Sequence, residues 1–296
     1  MNIGHDGDQP ASRGEFAVRI LWGAGVSAGG GALTTLVIKQ QEVRALIETL
    51  AAVLARRPDP ANPLSPGQIT SSSELRKLAG LLDHTLLRPE ATRSQVEQFC
   101  REALRFGFAV ACVNPAWVPL ASGILKGSDV RVGTVAGFPL GASTTCQKRA
   151  EAWTAIFAGA REIDMVINIG AMKSGELERV ESDIRGVVEV CREGGAIVKV
   201  ILENAYLTEV EKLAACRMAE KAGADFVKTS TGFGPSGATE ADVRLMRQTV
   251  GPTVGVKAAG GIRTLADALR MLEAGANRLG TSASVAIWQE AASLRV

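Results

Sequence analysis

From about residue 72 onward the chain alternates between two hydrophobic patterns. Short runs of apolar and β-branched residues are separated by longer stretches with apolar positions at three- and four-residue spacing. The runs are LAGLLDHTL, FAVACVNP, VRVGTVAGF, EIDMVIN, IVKVILE, DFVKTST, TVGVKAAGG and RLGTSAS, eight in all. A continuous apolar run suits a strand covered on both faces, as in a parallel sheet flanked by helices. The stretches between them carry helix punctuation. Thr92 with Gln95, and Thr208 with Glu211, have capping-box spacing. Gly107, Gly159, Gly194, Gly223 and Gly275 fall where helices should stop on a left-handed residue. Eight strand–helix units in about 220 residues predict an α/β fold of the (β/α)8 TIM-barrel type. The alternative is an open doubly wound sheet. That fold more often carries a G-x-G-x-x-G turn after its first strand, and no such turn follows the first run here.

Residues 1–70 read differently, as an N-terminal extension ahead of a barrel domain over 71–296. Trp22 to Leu33 is Gly/Ala-rich and predicts a flexible segment. Val43, Leu46, Ile47, Leu50, Val53 and Leu54 share one helical face and predict an amphipathic helix. Pro58 to Gly67 is a Pro-rich linker. The uncharged stretch Ile20 to Ile38 approaches the roughly 20 residues of a spanning helix. Its Gly, Ser and Thr content reads as flexible chain rather than as a membrane span. Asp6, Asp8 and Glu15 argue against a targeting peptide.

Composition narrows the partners. Of 296 residues, 46% are hydrophobic and 22% charged, ordinary for a globular protein, and the net charge of +2 implies no nucleic acid. The five cysteines are scattered and odd in number, which speaks against a disulfide framework and for a reducing cytoplasm. Two histidines make a His-based metal site improbable.

The chemistry shows in three lysines placed one per run: Lys199, Lys228 and Lys257. Lysine is rarely buried without a partner or a task, and burial drives it to lose its proton. A neutral amine is a nucleophile towards carbonyls. Asp164 sits in the preceding run, so strand alternation would bring four charged groups on four consecutive strands towards the barrel axis. On this reading one acid cannot neutralise three lysines, so a lysine is neutral or an anion binds. Bringing a lysine from about 10.4 to near 7 requires roughly 4 kcal/mol, from desolvation and a neighbouring ammonium. Lys228, the middle one, is modestly favoured by spacing, with the other two remaining open. A plain structural salt-bridge network is the bland alternative.

A phosphate site is also legible. Gly260 and Gly261 precede a helix with Thr264 near its start, and Gly280, Thr281 and Ser282 close the last strand. Loops after strands seven and eight are the recurrent phosphate site of such barrels, bound by backbone N–H groups. Thr229, Gly232 and the small residues of STGFGPSG add to the candidate lining, although glycines there could equally serve tight turns. Asp83 is a candidate for steadying the lysines or binding a substrate hydroxyl. His84 reads as a packed or rim histidine, Cys112 as core or pocket lining, and Glu203 as a supporting group.

Taken together, LLDHTLLRPEAT, ACVNP, GFPLG, EIDMVINIGAMKSG, DFVKTSTGFGPSGAT, GVKAAGGIRT and RLGTSAS resemble the deoxyribose-phosphate aldolases, in order over about residues 78–290. The resemblance implies reversible cleavage of 2-deoxyribose 5-phosphate to acetaldehyde and glyceraldehyde 3-phosphate, without metal or cofactor. It implies Lys228 as the Schiff-base lysine, Lys257 as the cation that lowers its pKa, and Asp164 with Lys199 as the proton-handling pair. Asp83 would support the network, and Gly261, Gly280 and Ser282 would hold the phosphate. The expected partners are sugar phosphates and aldehydes, with no nucleic acid or membrane, and the chain would be a dimer or tetramer. Unlike some members, the tail WQEAASLRV has no tyrosine; the only tyrosine is Tyr206. The rivals are a Schiff-base aldolase for another sugar phosphate and a non-catalytic sugar-phosphate-binding barrel.

Overall fold

The computed structural model describes residues 15–19, 35–39 and 72–294. The chain divides into two units, residues 1–57 and 58–296. In the first, Glu15–Arg19 and Thr35–Lys39 pair antiparallel, with Glu15 opposite Lys39 and Arg19 opposite Thr35. The flexible reading of Ile20 to Ile38 therefore fails for Thr35 to Ile38. TLVIK is rich in β-branched residues, which favour an extended backbone once a partner strand is present. The predicted amphipathic helix, the Gly-rich segment at 22–33, the Pro-rich linker and the boundary at 70/71 lie outside the described residues.

In the second unit all eight apolar runs become strands. They are β1 (Leu82–Leu86), β2 (Val110–Val113), β3 (Arg131–Ala136), β4 (Glu162–Val166), β5 (Ile197–Ile201), β6 (Phe226–Lys228), β7 (Gly255–Ala259) and β8 (Arg278–Thr281). Each pairs in parallel with the next, and β8 returns to β1, with Gly280 opposite Asp83, so the sheet closes into a barrel. The helices are α1 (Ser72–Ala79), α2 (Arg93–Phe106), α3 (Val118–Leu125), α4 (Thr145–Phe157), α5 (Ile169–Lys173) and α6 (Leu177–Glu193). They continue with α7 (Glu209–Ala222), α8 (Glu240–Thr249), α9 (Leu265–Glu273) and α10 (Ser284–Ser293).

Both predicted capping boxes form, at α2 and α7, and Thr144–Gln147 and Thr264–Asp267 build two more at α4 and α9. Gly107, Gly159, Gly223 and Gly275 have positive φ as helix-ending glycines should. Gly194 does not: its φ is −84°, and the left-handed residue after α6 is Gly195, one position later, with φ 66°. Two adjacent glycines left that register open.

Outward strand residues such as Ile163, Val198, Val200, Val227 and Val256 are buried against the helices. Each such side chain contributes roughly 1.5–3 kcal/mol of burial, so this outer layer carries the fold. It allows an unusual interior. Val110, Cys112 and Val135 form a small apolar cluster with Leu87 on the β2–β3 side. The opposite side is filled with charge.

One further buried ion pair lies outside the barrel. Lys148 of α4 is fully buried, donates to the Val166 carbonyl at 2.8 Å and pairs with Asp183 of α6. Thr145 donates to the same carboxylate at 2.9 Å. These bonds anchor the C-terminal end of β4, two residues beyond Asp164. The helical pattern of α4 gave no hint that this lysine is enclosed.

Candidate active site

Side chains alternate along a strand, so the inward residues of β4 are Glu162 and Asp164. Those of β5, β6, β7 and β8 include Lys199, Lys228, Lys257 and Arg278. The predicted four groups do converge, on one carboxylate. Lys228 Nζ and Lys257 Nζ each lie 2.8 Å from Asp164 Oδ2, and Lys199 Nζ lies 2.9 Å from Oδ1. Asp83, inward on β1, joins them: its Oδ2 is 2.5 Å from Lys257 and 3.3 Å from Lys199. All five residues are buried, none more than 2% exposed.

The expectation that one acid faces three lysines is corrected here. Three carboxylates take part, because Glu162 Oε2 lies 2.6 Å from Lys199. A fourth buried cation, Arg278, donates to Asp83 Oδ1 at 2.6 Å. Both residues were findable by parity, since Glu162 is two positions before Asp164 and Arg278 two before Gly280. The enclosed groups are thus three carboxylates and four cations, still one cation in excess. A low-dielectric interior resists an unbalanced charge, so one cation should give up its proton.

The environment selects which. Burial pushes the Lys228 amine below the usual lysine value, and the Lys257 ammonium pushes it further, against the opposing pull of Asp164. Burial acts on Lys257 and Lys199 in the same sense, but their carboxylates outweigh it. Asp164 and Asp83 hold Lys257 above its ordinary value, and Asp164, Asp83 and Glu162 hold Lys199 well above it. Asp164 is itself held well below the carboxylate range: burial opposes this, but Lys199, Lys228 and Lys257 together prevail. The site therefore sets one amine of lowered pKa beside two ammonium groups whose pKa values are raised.

Lys228 opens onto a cavity of about 330 Å³ at the C-terminal mouth of the barrel. Gly232, Gly260, Gly261, Gly280 and Ser282 line it, together with Thr231, Arg88 and Arg263. The two arginines went unpredicted because loop arginines usually face solvent. Gly280 has a second task. A Cβ there would come within 2.9 Å of Lys257 Cε and 3.1 Å of Ala259 Cβ, so the glycine leaves room for the lysine stem.

Thr229 does not line the cavity. Its buried hydroxyl donates to the Ala259 carbonyl at 3.2 Å and accepts from the Ala259 N–H at 3.1 Å, stitching β6 to β7. Cys112 is buried on the inner face of β2, and burial, reinforced by Asp164, pushes its thiol up to about 11. His84 points away from the axis, stacked on Phe99 with centroids 4.1 Å apart; burial lowers its pKa to about 4. Glu203 accepts from Thr231 N at 3.2 Å and from the Thr231 hydroxyl, holding the loop after β6. It borders a neighbouring, mainly apolar cavity of about 240 Å³ with Leu140, Tyr206 and Phe233.

A buried amine opening onto a small cavity at the mouth of a closed parallel barrel is an arrangement suited to carbonyl chemistry. Comparison with known proteins makes the class specific. The chain belongs to the DeoC/LacD aldolase family, whose model matches residues 77–290, and it is a carbon–carbon lyase. A curated relative, deoxyribose-phosphate aldolase of Streptococcus pneumoniae, is 60% identical over 211 residues, covering 71% of this chain and 95% of that protein. Among solved structures, a putative deoxyribose-phosphate aldolase from Coccidioides immitis superposes with TM-score 0.71 at 40% identity, covering 86% of this chain and 98% of the other. The deoxyribose phosphate aldolase of Aeropyrum pernix, described as tetrameric, gives TM-score 0.70 at 35% identity, covering 78% and 100%.

Proposed function

We propose that the protein cleaves 2-deoxyribose 5-phosphate reversibly to acetaldehyde and glyceraldehyde 3-phosphate through a Schiff base on Lys228. The observation that carries this reading is the buried Lys228 amine, 2.8 Å from Asp164 and open to the cavity that ends in Gly260, Gly261 and Ser282. The names of the relatives point to the same substrate. A non-catalytic barrel would have no need to retain all four of Asp164, Lys199, Lys228 and Lys257.

In the proposed reaction the neutral amine adds to the aldehyde carbon of the open-chain sugar, and loss of water leaves an iminium ion. Breaking the C2–C3 bond sends its electron pair into the iminium, giving an enamine. The C3 hydroxyl proton is lost as glyceraldehyde 3-phosphate forms. Protonation of the enamine carbon and hydrolysis release acetaldehyde and restore the amine. Asp164 stays ionised beside its lysines, so it would pass protons through Lys199 and an intervening water rather than retain them. The phosphate would lie against the backbone of Gly260, Gly261 and Ser282, with Gly280 behind it. Asp83 would brace the ammonium groups, and no metal or cofactor would be needed.

Borohydride trapping with acetaldehyde, followed by intact mass and peptide mapping, tests this reading. An ethyl adduct on Lys228 is expected; an adduct on Lys199 or Lys257 would overturn the assigned roles. Ser282→Asp should raise KM for the phosphorylated sugar about tenfold by repelling the phosphate, with little change on unphosphorylated deoxyribose. Steady-state kinetics on both sugars decides, and an equal loss on each would remove Ser282 from the phosphate site.

We also infer a homo-oligomer, in line with the tetrameric relative, acting in sugar catabolism in a reducing cytoplasm. All five cysteines are free, and no helix among the described residues is long and apolar enough to cross a membrane.

A further inference from the structure

The buried charges extend below the groups that the aldol steps use. Arg278 is 7% exposed, with its guanidinium carbon 5.7 Å from the centre of the Phe226 ring. It reaches Asp83 at 2.6 Å on one side and Glu162 Oε1 at 3.6 Å on the other. Glu162 is fully buried and passes the contact on to Lys199 at 2.6 Å. Neither residue lines the cavity. Glu162 lies one inward position before Asp164 on β4, and Arg278 stands in register with Lys257 of β7, one inward position before Gly280 on β8.

We propose that Glu162 and Arg278 are positioning residues for the aldol reaction, a buried pair that sets the charge balance around Lys228 so that its amine stays neutral. The inference rests on the Lys228 reading above. Its basis is a count along the inner wall. Asp83, Glu162 and Asp164 offset Lys199, Lys257 and Arg278, and Lys228 is left as the group without a matching charge. The other inward groups do not upset the count. Cys112 on β2 is an uncharged thiol, its pKa pushed up to about 11 chiefly by burial. Arg131 on β3 meets Glu162 at 2.9 Å, but its side chain is 28% exposed, so water at the far end of the barrel shields it.

This arrangement gives the two residues opposite signs of effect. Removing Arg278 leaves an uncompensated carboxylate, which favours a proton on Lys228. Removing Glu162 leaves an uncompensated cation, which disfavours it. A residue that merely supports the fold would not act in this way.

The test is the pH dependence of imine formation with acetaldehyde, read as the rate of borohydride-trapped adduct on Lys228 between pH 5 and 9. Arg278→Met should move the acid-side midpoint up by about one unit, so that trapping on that limb falls about tenfold and recovers at higher pH. Glu162→Gln should move it down by a similar amount. The charge-neutral double variant should return near the parent midpoint, and Arg278→Lys should keep it. Should Arg278→Met fail to fold, Glu162→Gln and Arg278→Lys decide by the same criteria. Midpoints that stay fixed while rates fall equally at every pH, or that shift in one direction for both residues, overturn the inference. No adduct on Lys228 in the parent protein would overturn the functional reading and this inference with it. An adduct there with unmoved midpoints overturns this inference alone.

Discussion

Lys228→Ala should abolish both sugar cleavage and covalent trapping, with kcat/KM falling roughly 10⁴-fold or more, the scale seen when a covalent nucleophile is removed. The reason is geometric as well as chemical. Lys199 and Lys257 cannot substitute, because each is committed to carboxylates: Lys199 meets three, at 2.6, 2.9 and 3.3 Å, and Lys257 meets two, at 2.5 and 2.8 Å. Both are held protonated, and a protonated amine cannot attack a carbonyl. The variant should also fold, since Lys199, Lys257 and Arg278 still match the carboxylates of Asp83, Glu162 and Asp164. Retention of normal trapping by folded Lys228→Ala, read by intact mass, would sink the assignment.

Lys257→Leu should leave the nucleophile in place and take away its activation. The side-chain nitrogens of Lys228 and Lys257 touch the same Asp164 oxygen. Two unit charges about 5 Å apart, at an effective dielectric near 20, interact by roughly 3 kcal/mol. Part of that is shielded by the shared carboxylate, so a rise of about 1–2 pK units at Lys228 is expected. The sign follows from the balance. With the ammonium gone and Asp83 and Asp164 less compensated, a proton on Lys228 is favoured. The acid limb of imine formation should therefore move to higher pH, and activity at pH 7 should fall about 10- to 100-fold. A pH–rate profile with the limb unmoved would remove Lys257 from this role.

Much of this site can be read from the chain because its determinants are local. Each strand is a continuous apolar run, and an ionisable residue inside such a run stands out. Asp164, Lys199, Lys228 and Lys257 are visible for that reason, and their adjacency follows from the order of strands. The glycines before α9 and at the end of β8 are legible as small-residue backbone, and they line the cavity. What escaped depends on distant partners. Glu162 and Arg278 open their strands, where a charge normally faces solvent, and only the neighbouring wall encloses them. Lys148 looks like an ordinary helix-surface lysine until α6 and the end of β4 cover it. Thr229 follows Lys228 directly but points to the sheet ladder, because the next strand offers it the N–H and carbonyl of Ala259. Gly194 and Gly195 differ only in backbone torsion, to which composition is blind.

Arg278 and Asp83 are 195 residues apart along the chain. Their bond forms only when β8 docks beside β1, the step that completes the ring of strands. Until then the inner wall has an open seam, and its carboxylates and ammonium groups can keep their hydration. Shedding that water is costly for each ion taken singly. The contacts that offset the cost span the longest separations in the barrel, where loop-closure entropy is greatest. Dehydration of this charged interior thus requires closure of the ring. A barrel open at the seam between β8 and β1 would leave these ions hydrated even with its helices in place.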